Sequence, residues 1–274
     1  MMIKGFLSIA CLLSVSAVYA QTPQQIVQKF YPKYSNEYQC YRVSDKQLGG
    51  EYCVRQIKSE TRQTAQGKQM HLLFAGSKLD FTNGEENGSH ADSGFAGVFV
   101  LKQKAENDWQ LAAALPESWA GAFGNAPAAK DWSFHQFGQD KWGFMTRHSD
   151  VHQGYAGSAY VLFHYDGGQS IGRSLIASAA DNSGALGDCR LNRQGRKANA
   201  AERRECLNSL HDLSSTIKIA KSGKTIKGFY PLQISVSGFD GRKQYRNQTF
   251  TVPYHAGKKQ YIAPKNYPLN NKEF

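Results

Sequence analysis

The chain has 274 residues, 41% of them hydrophobic, and carries 33 lysines and arginines against 22 acids, a net charge of +11. That hydrophobic content excludes a disordered chain, and the length suits one large domain or two small ones. The positive excess points to acidic partners such as anionic lipid, lipopolysaccharide, acidic glycan or an acidic protein surface.

The first segment reads as a cleavable secretory signal. Lys4 is followed by an apolar run from Phe6 to Val18 and a small-residue end at Val18-Tyr19-Ala20. The run is shorter than the ~20 apolar residues that cross a bilayer. Cys11 lacks a lipobox context, with Ser8 where Leu or Val belongs. The expectation is therefore a signal peptide at 1–20 and one β-rich exported domain at 21–274, periplasmic or secreted. With Lys4 removed, 32 cations face 22 acids, a net charge of +10. Export argues against nucleic acid as the target of that charge.

Thr22-Pro23-Gln24-Gln25 predicts a short helix, with Thr22 as cap, Pro23 in the first turn and Gln25 closing a capping box. Ile26, Val27 and Phe30 give it an apolar face, and Pro32 ends it. From about Met70 onward the pattern is strands. Met70 to Ala75, Phe95 to Gln103 and Trp109 to Leu115 come first, with a turn at Lys104 to Asp108. Asp131 to Phe137 and Lys141 to Arg147 flank Gly138-Gln139-Asp140. Tyr160 to Tyr165 and Ser170 to Ala179 flank Asp166-Gly167-Gly168, a tight-turn signal.

One helix interrupts the strands. Asn199 and Glu202 form a second capping box, and Leu207, Leu210 and Leu213 follow at helical spacing, which predicts a helix from Ala200 to Leu213. Thr216 to Ala220, Gly228 to Ser237 and Gln248 to Tyr254 then resume the strand pattern. Without regular strand-helix alternation, the expected fold class is mostly β, in antiparallel hairpins or meander sheets. A repeat adds a duplicated or propeller-like arrangement to the candidates. Gly94-Phe95-Ala96-Gly97 and Gly154-Tyr155-Ala156-Gly157 lie sixty positions apart, and each precedes an apolar strand.

Four cysteines follow the signal segment. An even count in an exported chain predicts disulfides, and sequence proximity favours Cys40–Cys53 and Cys189–Cys206 over the other two pairings. Zinc would want short C-x-x-C spacing, which is missing.

His148-x-Asp150-x-His152 is the best chemical candidate. Imidazole and carboxylate suit Zn²⁺, Cu²⁺ or Ni²⁺. His90 and Asp92, from the first copy of the repeat, would complete the site if the two loops met. The competing expectation is polar loop residues beside a glycine turn, with the aspartates bonded to their own backbone. Asp181-Asn182-Ser183-Gly184 with Asp188 has too many apolar fillers for a calcium loop and reads as a turn. Ser215-x-x-Lys218 and Lys221-Ser222-Gly223 nearly touch, whereas penicillin-binding enzymes hold such motifs far apart. Gly223-Lys224-Thr225 lacks the upstream glycine of a phosphate loop.

Arg190, Arg193, Arg196, Lys197, Arg203 and Arg204 sit between Cys189 and Cys206, against Glu202 and Glu205. Closed by a disulfide, this segment is a candidate docking surface, with Arg193, Arg196 and Lys197 facing an anionic partner. Trp119, in a Gly/Ala-rich stretch that reads as loop, is the candidate exposed aromatic among Trp109, Trp119, Trp132 and Trp142. The functional expectation is a non-catalytic binding protein, such as an inhibitor or immunity-type protein, that docks a protein or an anionic envelope component without a cofactor. The alternatives are a metal-dependent hydrolase built on the His-x-Asp-x-His residues, with zinc or copper, and a structural envelope protein.

Overall fold

The computed structural model describes residues 20–45, 49–192 and 194–270. Met1 to Tyr19, which hold nearly all of the expected signal segment, and Arg193 lie outside them. The fold is mostly β and antiparallel throughout. A short helix, α1 (Pro23–Gln28), opens it with the expected capping box between Thr22 and Gln25.

Six strands then run as one meander: β1 (Tyr34–Ser35), β2 (Cys40–Ser44), β3 (Glu51–Thr64), β4 (Gly67–Lys78), β5 (Phe95–Ala105) and β6 (Asp108–Trp119). A second meander of seven follows: β7 (Ser133–Gly138), β8 (Lys141–His152), β9 (Tyr155–Tyr165), β10 (Ile171–Asp181), β11 (Asp212–Ile219), β12 (Leu232–Phe239) and β13 (Gln244–Val252). A small hairpin, β14 (Tyr254–His255) and β15 (Gln260–Tyr261), closes the chain. In both sheets every strand pairs with its sequence neighbours. This is the meander form of the expected β architecture. The strands that follow the two glycine-aromatic-Ala-Gly cores, β5 and β9, lie one in each sheet and both begin on the aromatic residue.

The central strands are apolar on both faces, as buried strands must be. On β4 and β5, Leu73, Ala96, Val98 and Val100 share one cluster with Phe144, Val161, Phe163 and Tyr165 of the second sheet, so the two sheets pack face to face. The alternate residues Leu72, Phe74, Phe95, Phe99 and Leu101 point outward to a second cluster, where Ile26 and Val27 of α1 and Tyr31 cover them. On the second sheet the alternates Tyr160, Leu162 and Ile176 build a third cluster with Leu213, Ile234 and Val236, covered by Tyr254, Tyr261, Tyr267 and Leu269 of the C-terminal segment. The tryptophan-rich stretch largely fills core: Trp109 and Trp132 are buried.

Both expected disulfides are present. Cys40–Cys53 joins neighbouring strands β2 and β3, and Cys189–Cys206 ties a turn to helix α3 (Ala200–Ser209). The sequence reading of that helix needs correction at its end. It stops at Ser209, Leu210 is already extended, and Leu213 is a buried residue of β11. Leucines three apart fit a helix, but the sheet core takes Leu213 because β11 needs it opposite Ala180. Residues 116–119 are also strand, not loop: Trp119 ends β6, paired with Phe95.

Candidate functional site

Two features stand apart from the packed sheets: a cleft at one end of the sheet interface, and an arm that leaves the second sheet.

The cleft gathers His148 and Asp150 of the His-x-Asp-x-His pattern. His148, Asp150 and His152 lie in strand β8, not in a loop. Strand side chains alternate, so these three share the face that carries Phe144 in the inter-sheet core. The segment before β5 brings His90 and Asp92 to the same place. His90, Asp92, His148 and Asp150 line one cleft of about 470 Å³ together with Gly121, Leu175 and Asn270. His152 is not in the lining, but its ring stands 5.9 Å from the His90 ring. The two expected halves of the site do meet.

Their chemistry is partly committed. The Asp92 carboxylate accepts from Lys78 Nζ at 2.8 Å and from the Ser89 amide and hydroxyl, each at 2.8 Å. The Lys78 ammonium and the Ser89 donors hold its pKa down at about 2. His148 Nδ1 accepts the Gly121 N–H at 2.7 Å, which places the proton of the neutral ring on Nε2. Burial, then the Arg173 charge, lowers the His148 pKa, and Asp150 partly offsets them. A metal at Nε2 would have to displace that proton, whereas ligating imidazoles normally keep a donor on the other nitrogen. Among the described residues Asp150 accepts only its neighbour's amide, Val151 N–H, at 2.7 Å. Among the described residues no three His, Cys, Asp or Glu side chains are placed to hold one ion.

Phe123, an aromatic of the tryptophan-rich region, is not singled out by the sequence, which points to Trp119 instead. It sits between Gly121 and Gly124 with φ of 55°, the left-handed region that a bulky side chain seldom enters. Its ring lies 4.5 Å from the His90 ring. A Cβ on Gly88 would come within 2.2 Å of the Phe123 carbonyl, so the two loops press backbone on backbone. The sequence signal was the glycine pair around an aromatic residue.

The arm is residues 183–210, inserted between the paired strands β10 and β11. Its neck is closed by Asn182, whose side chain accepts the His211 N–H at 2.8 Å and donates to the Ser209 carbonyl at 2.9 Å. At its root a short helix, α2 (Ser183–Leu186), rests on the β8–β9 turn through Ala185 N–H to the Gly154 carbonyl. The end of α3 lies against Gly241 in the β12–β13 turn, where a Cβ would meet the Asn208 carbonyl at 2.1 Å. None of α3 is buried. Its order therefore rests on the Asn199–Glu202 capping box, the disulfide and the neck, not on an apolar face.

Arg196 and Lys197 are exposed on this arm, and among the described residues neither has an ion-pair partner. Arg190 differs: it chelates Asp188 and draws that carboxyl down to about 2. Leu191 and Leu207 are the arm's exposed apolar residues. Trp119 is not a free aromatic, because it is half-buried and its indole N–H donates to Asp45 at 3.1 Å. Among the described residues no helix is long and apolar enough to cross a membrane. The chain significantly matches no protein-family model, no curated protein and no solved structure.

Proposed function

We propose that the protein is exported to the periplasm or beyond and acts as a non-catalytic binding protein, with the 183–210 arm docking an acidic surface of a partner protein. The observation that supports this reading is a ten-residue helix that buries no side chain yet is held in place by a disulfide, a capping box and a closed neck. Covalent order without packing adds little to a core. It does lower the entropy cost of binding, since the surface is arranged in advance. The Arg196 and Lys197 charges suit an acidic face. Interleaved Glu202 and Glu205 and the exposed Leu191 and Leu207 favour a partner with its own pattern, a protein, over a uniformly anionic lipid surface. Two disulfides and the signal-like first twenty residues support an oxidising compartment.

The test starts with a photo-crosslinker at Lys197, used in the producing cell to identify the partner. Association of that partner is then followed with wild type and with Arg193→Glu/Arg196→Glu/Lys197→Glu. Steering charges chiefly raise association rates and fade with salt. The triple variant should associate roughly tenfold more slowly at low salt, and the gap should close at high salt. Equal rates at both salts, or binding to anionic vesicles with no crosslinked protein, contradict the reading.

A further inference from the structure

The cleft at the end of the sheet interface supports a second binding role that does not rest on the arm. Its donors and acceptors are mixed. His148 lines it with Nδ1 committed to Gly121, which leaves Nε2–H as a donor. Asp150 offers carboxylate oxygens whose only other bond among the described residues is to the Val151 amide. The Ser93 hydroxyl adds a group that both donates and accepts. Between them the lining is small and apolar, with Ala122, Gly157 and Ala159 beside Leu175, which is 51% exposed.

Charge narrows the ligand class. Among the described residues no lysine or arginine lines the cleft: Arg173, whose charge reaches His148, donates to the Trp119 carbonyl at 3.1 Å, and the Lys78–Asp92 pair is closed on itself. An anion therefore finds no cation in the lining. A cation would meet Asp150 but also the positive edge of the His148 N–H. What suits both groups is a neutral ligand whose hydroxyls donate to the carboxylate and accept from the imidazole. Flat faces adjoin the lining: the exposed Phe123 and His152 rings stand 4.5 Å and 5.9 Å from the His90 ring, which lines the cleft. Phe123 is held there in a left-handed backbone conformation, and strain of that kind gathers at ligand sites. Flat apolar faces edged with hydroxyls describe a sugar ring, and the cleft is within the size range of small-ligand pockets. We infer that the cleft binds a neutral saccharide, with one ring face on Phe123 and His90 and its hydroxyls between His148 Nε2–H and Asp150.

The experiment is a titration of the full mature chain, labelled at histidine, watched by NMR. The probes are maltotriose, cellotriose, chitotriose and mannotriose, with galacturonic acid as the anionic control and putrescine as the cationic one. At least one neutral trisaccharide should shift the His90, His148 and His152 ring signals saturably at millimolar concentration. Phe123→Gly and Asp150→Asn should each weaken that binding at least tenfold, while Arg196→Glu/Lys197→Glu leaves it unchanged. Glycine is at home at the φ of residue 123, so the first variant is expected to fold, and its thermal melt checks this. No shift with any neutral saccharide, shifts with the acid or the amine alone, or unchanged binding in both cleft variants overturns the inference. Loss of saccharide binding with the arm still docking its partner would separate this site from the arm.

Discussion

The two disulfides close loops of similar length, 13 and 17 residues apart in sequence, yet they serve opposite regions. Cys40 and Cys53 are buried between strands that belong to the first sheet, beside the cluster under α1. Cys189 and Cys206 fasten a segment whose helix touches no core. One bridge adds to structure that burial already specifies. The other supplies order to a helix that burial does not hold. A covalent link thus reports what a region is for only when its surroundings are considered with it.

That contrast is open to measurement. Removing the first bridge with Cys40→Ser/Cys53→Ser should act on the whole fold. Closing a loop of this size stabilises by roughly 3 kcal/mol in the chain-entropy model. At about 2 to 4 °C per kcal/mol for a chain of this length, the midpoint of thermal unfolding should fall by about 6 to 12 °C. A fall under about 2 °C would mean that the sheets do not depend on this staple.

Acid should attack the sheets as well. His164 lies in a box of Phe137, Phe229, Tyr254 and Tyr261 and bonds through Nε2 to Ser174 at 3.0 Å, while its Nδ1 has no partner among the described residues. Burial pushes its pKa down to about 4, and burial followed by the Arg62 charge pushes His71 to about 3. The unfolded chain takes up these protons near pH 6.5 and the folded chain resists, so stability is lost as pH falls from about 6.5 toward 4. For His164 alone the loss is on the order of 3 kcal/mol. Below that range Asp92, held at about 2, adds a further loss as its contact with Lys78 is protonated away. Denaturant melts at pH 7, 5.5 and 4 should show the decline, and His164→Gln should flatten it. A decline of equal slope in that variant would assign the acid sensitivity elsewhere.

Breaking the second bridge with Cys189→Ser/Cys206→Ser should barely move the melt. Its effect should be local: trypsin cleavage within the arm, which holds Arg190, Arg196, Lys197, Arg203 and Arg204, should quicken by up to about a hundredfold as the ~3 kcal/mol of loop closure is lost. The smallest effect belongs to Arg196→Glu/Lys197→Glu. Exposed charges away from the core should change folding stability by no more than about 0.5 kcal/mol, measured by urea unfolding.

Much of the sheet architecture was legible from residues. Turn chemistry located the β7–β8 and β9–β10 hairpins, where Asp166 accepts from the Gly168 and Ser170 amides. The long strand β3 was not legible. Its second half, Gln56 to Thr64, is largely polar and half-exposed, so alternation of apolar residues is weak there. Its pairing with β4 along nearly the whole length holds it extended, and sequence pattern does not report pairing. The cleft residues were legible as a set, because the repeat linked His90 and Asp92 to His148 and Asp150. The placement of His148, Asp150 and His152 was not: a strand, with its side chains on one face, stood where a loop was expected. The arm's basic charge and disulfide were visible, but its lack of burial depends on where the sheet takes Leu213, which only the fold decides.

The central claim is that the arm belongs to docking and not to folding. Asp181 and Asp212 are register partners at the ends of β10 and β11, so a short Asn-Gly-containing turn can replace residues 183–210 and join the strands directly. That deletion, with Asn182 and His211 also replaced to avoid orphaned bonds, should leave the thermal midpoint within about 2 °C of wild type, while association with the crosslinked partner is abolished. A deletion variant that fails to fold, melts far lower, or still binds the partner at the wild-type rate would contradict the account.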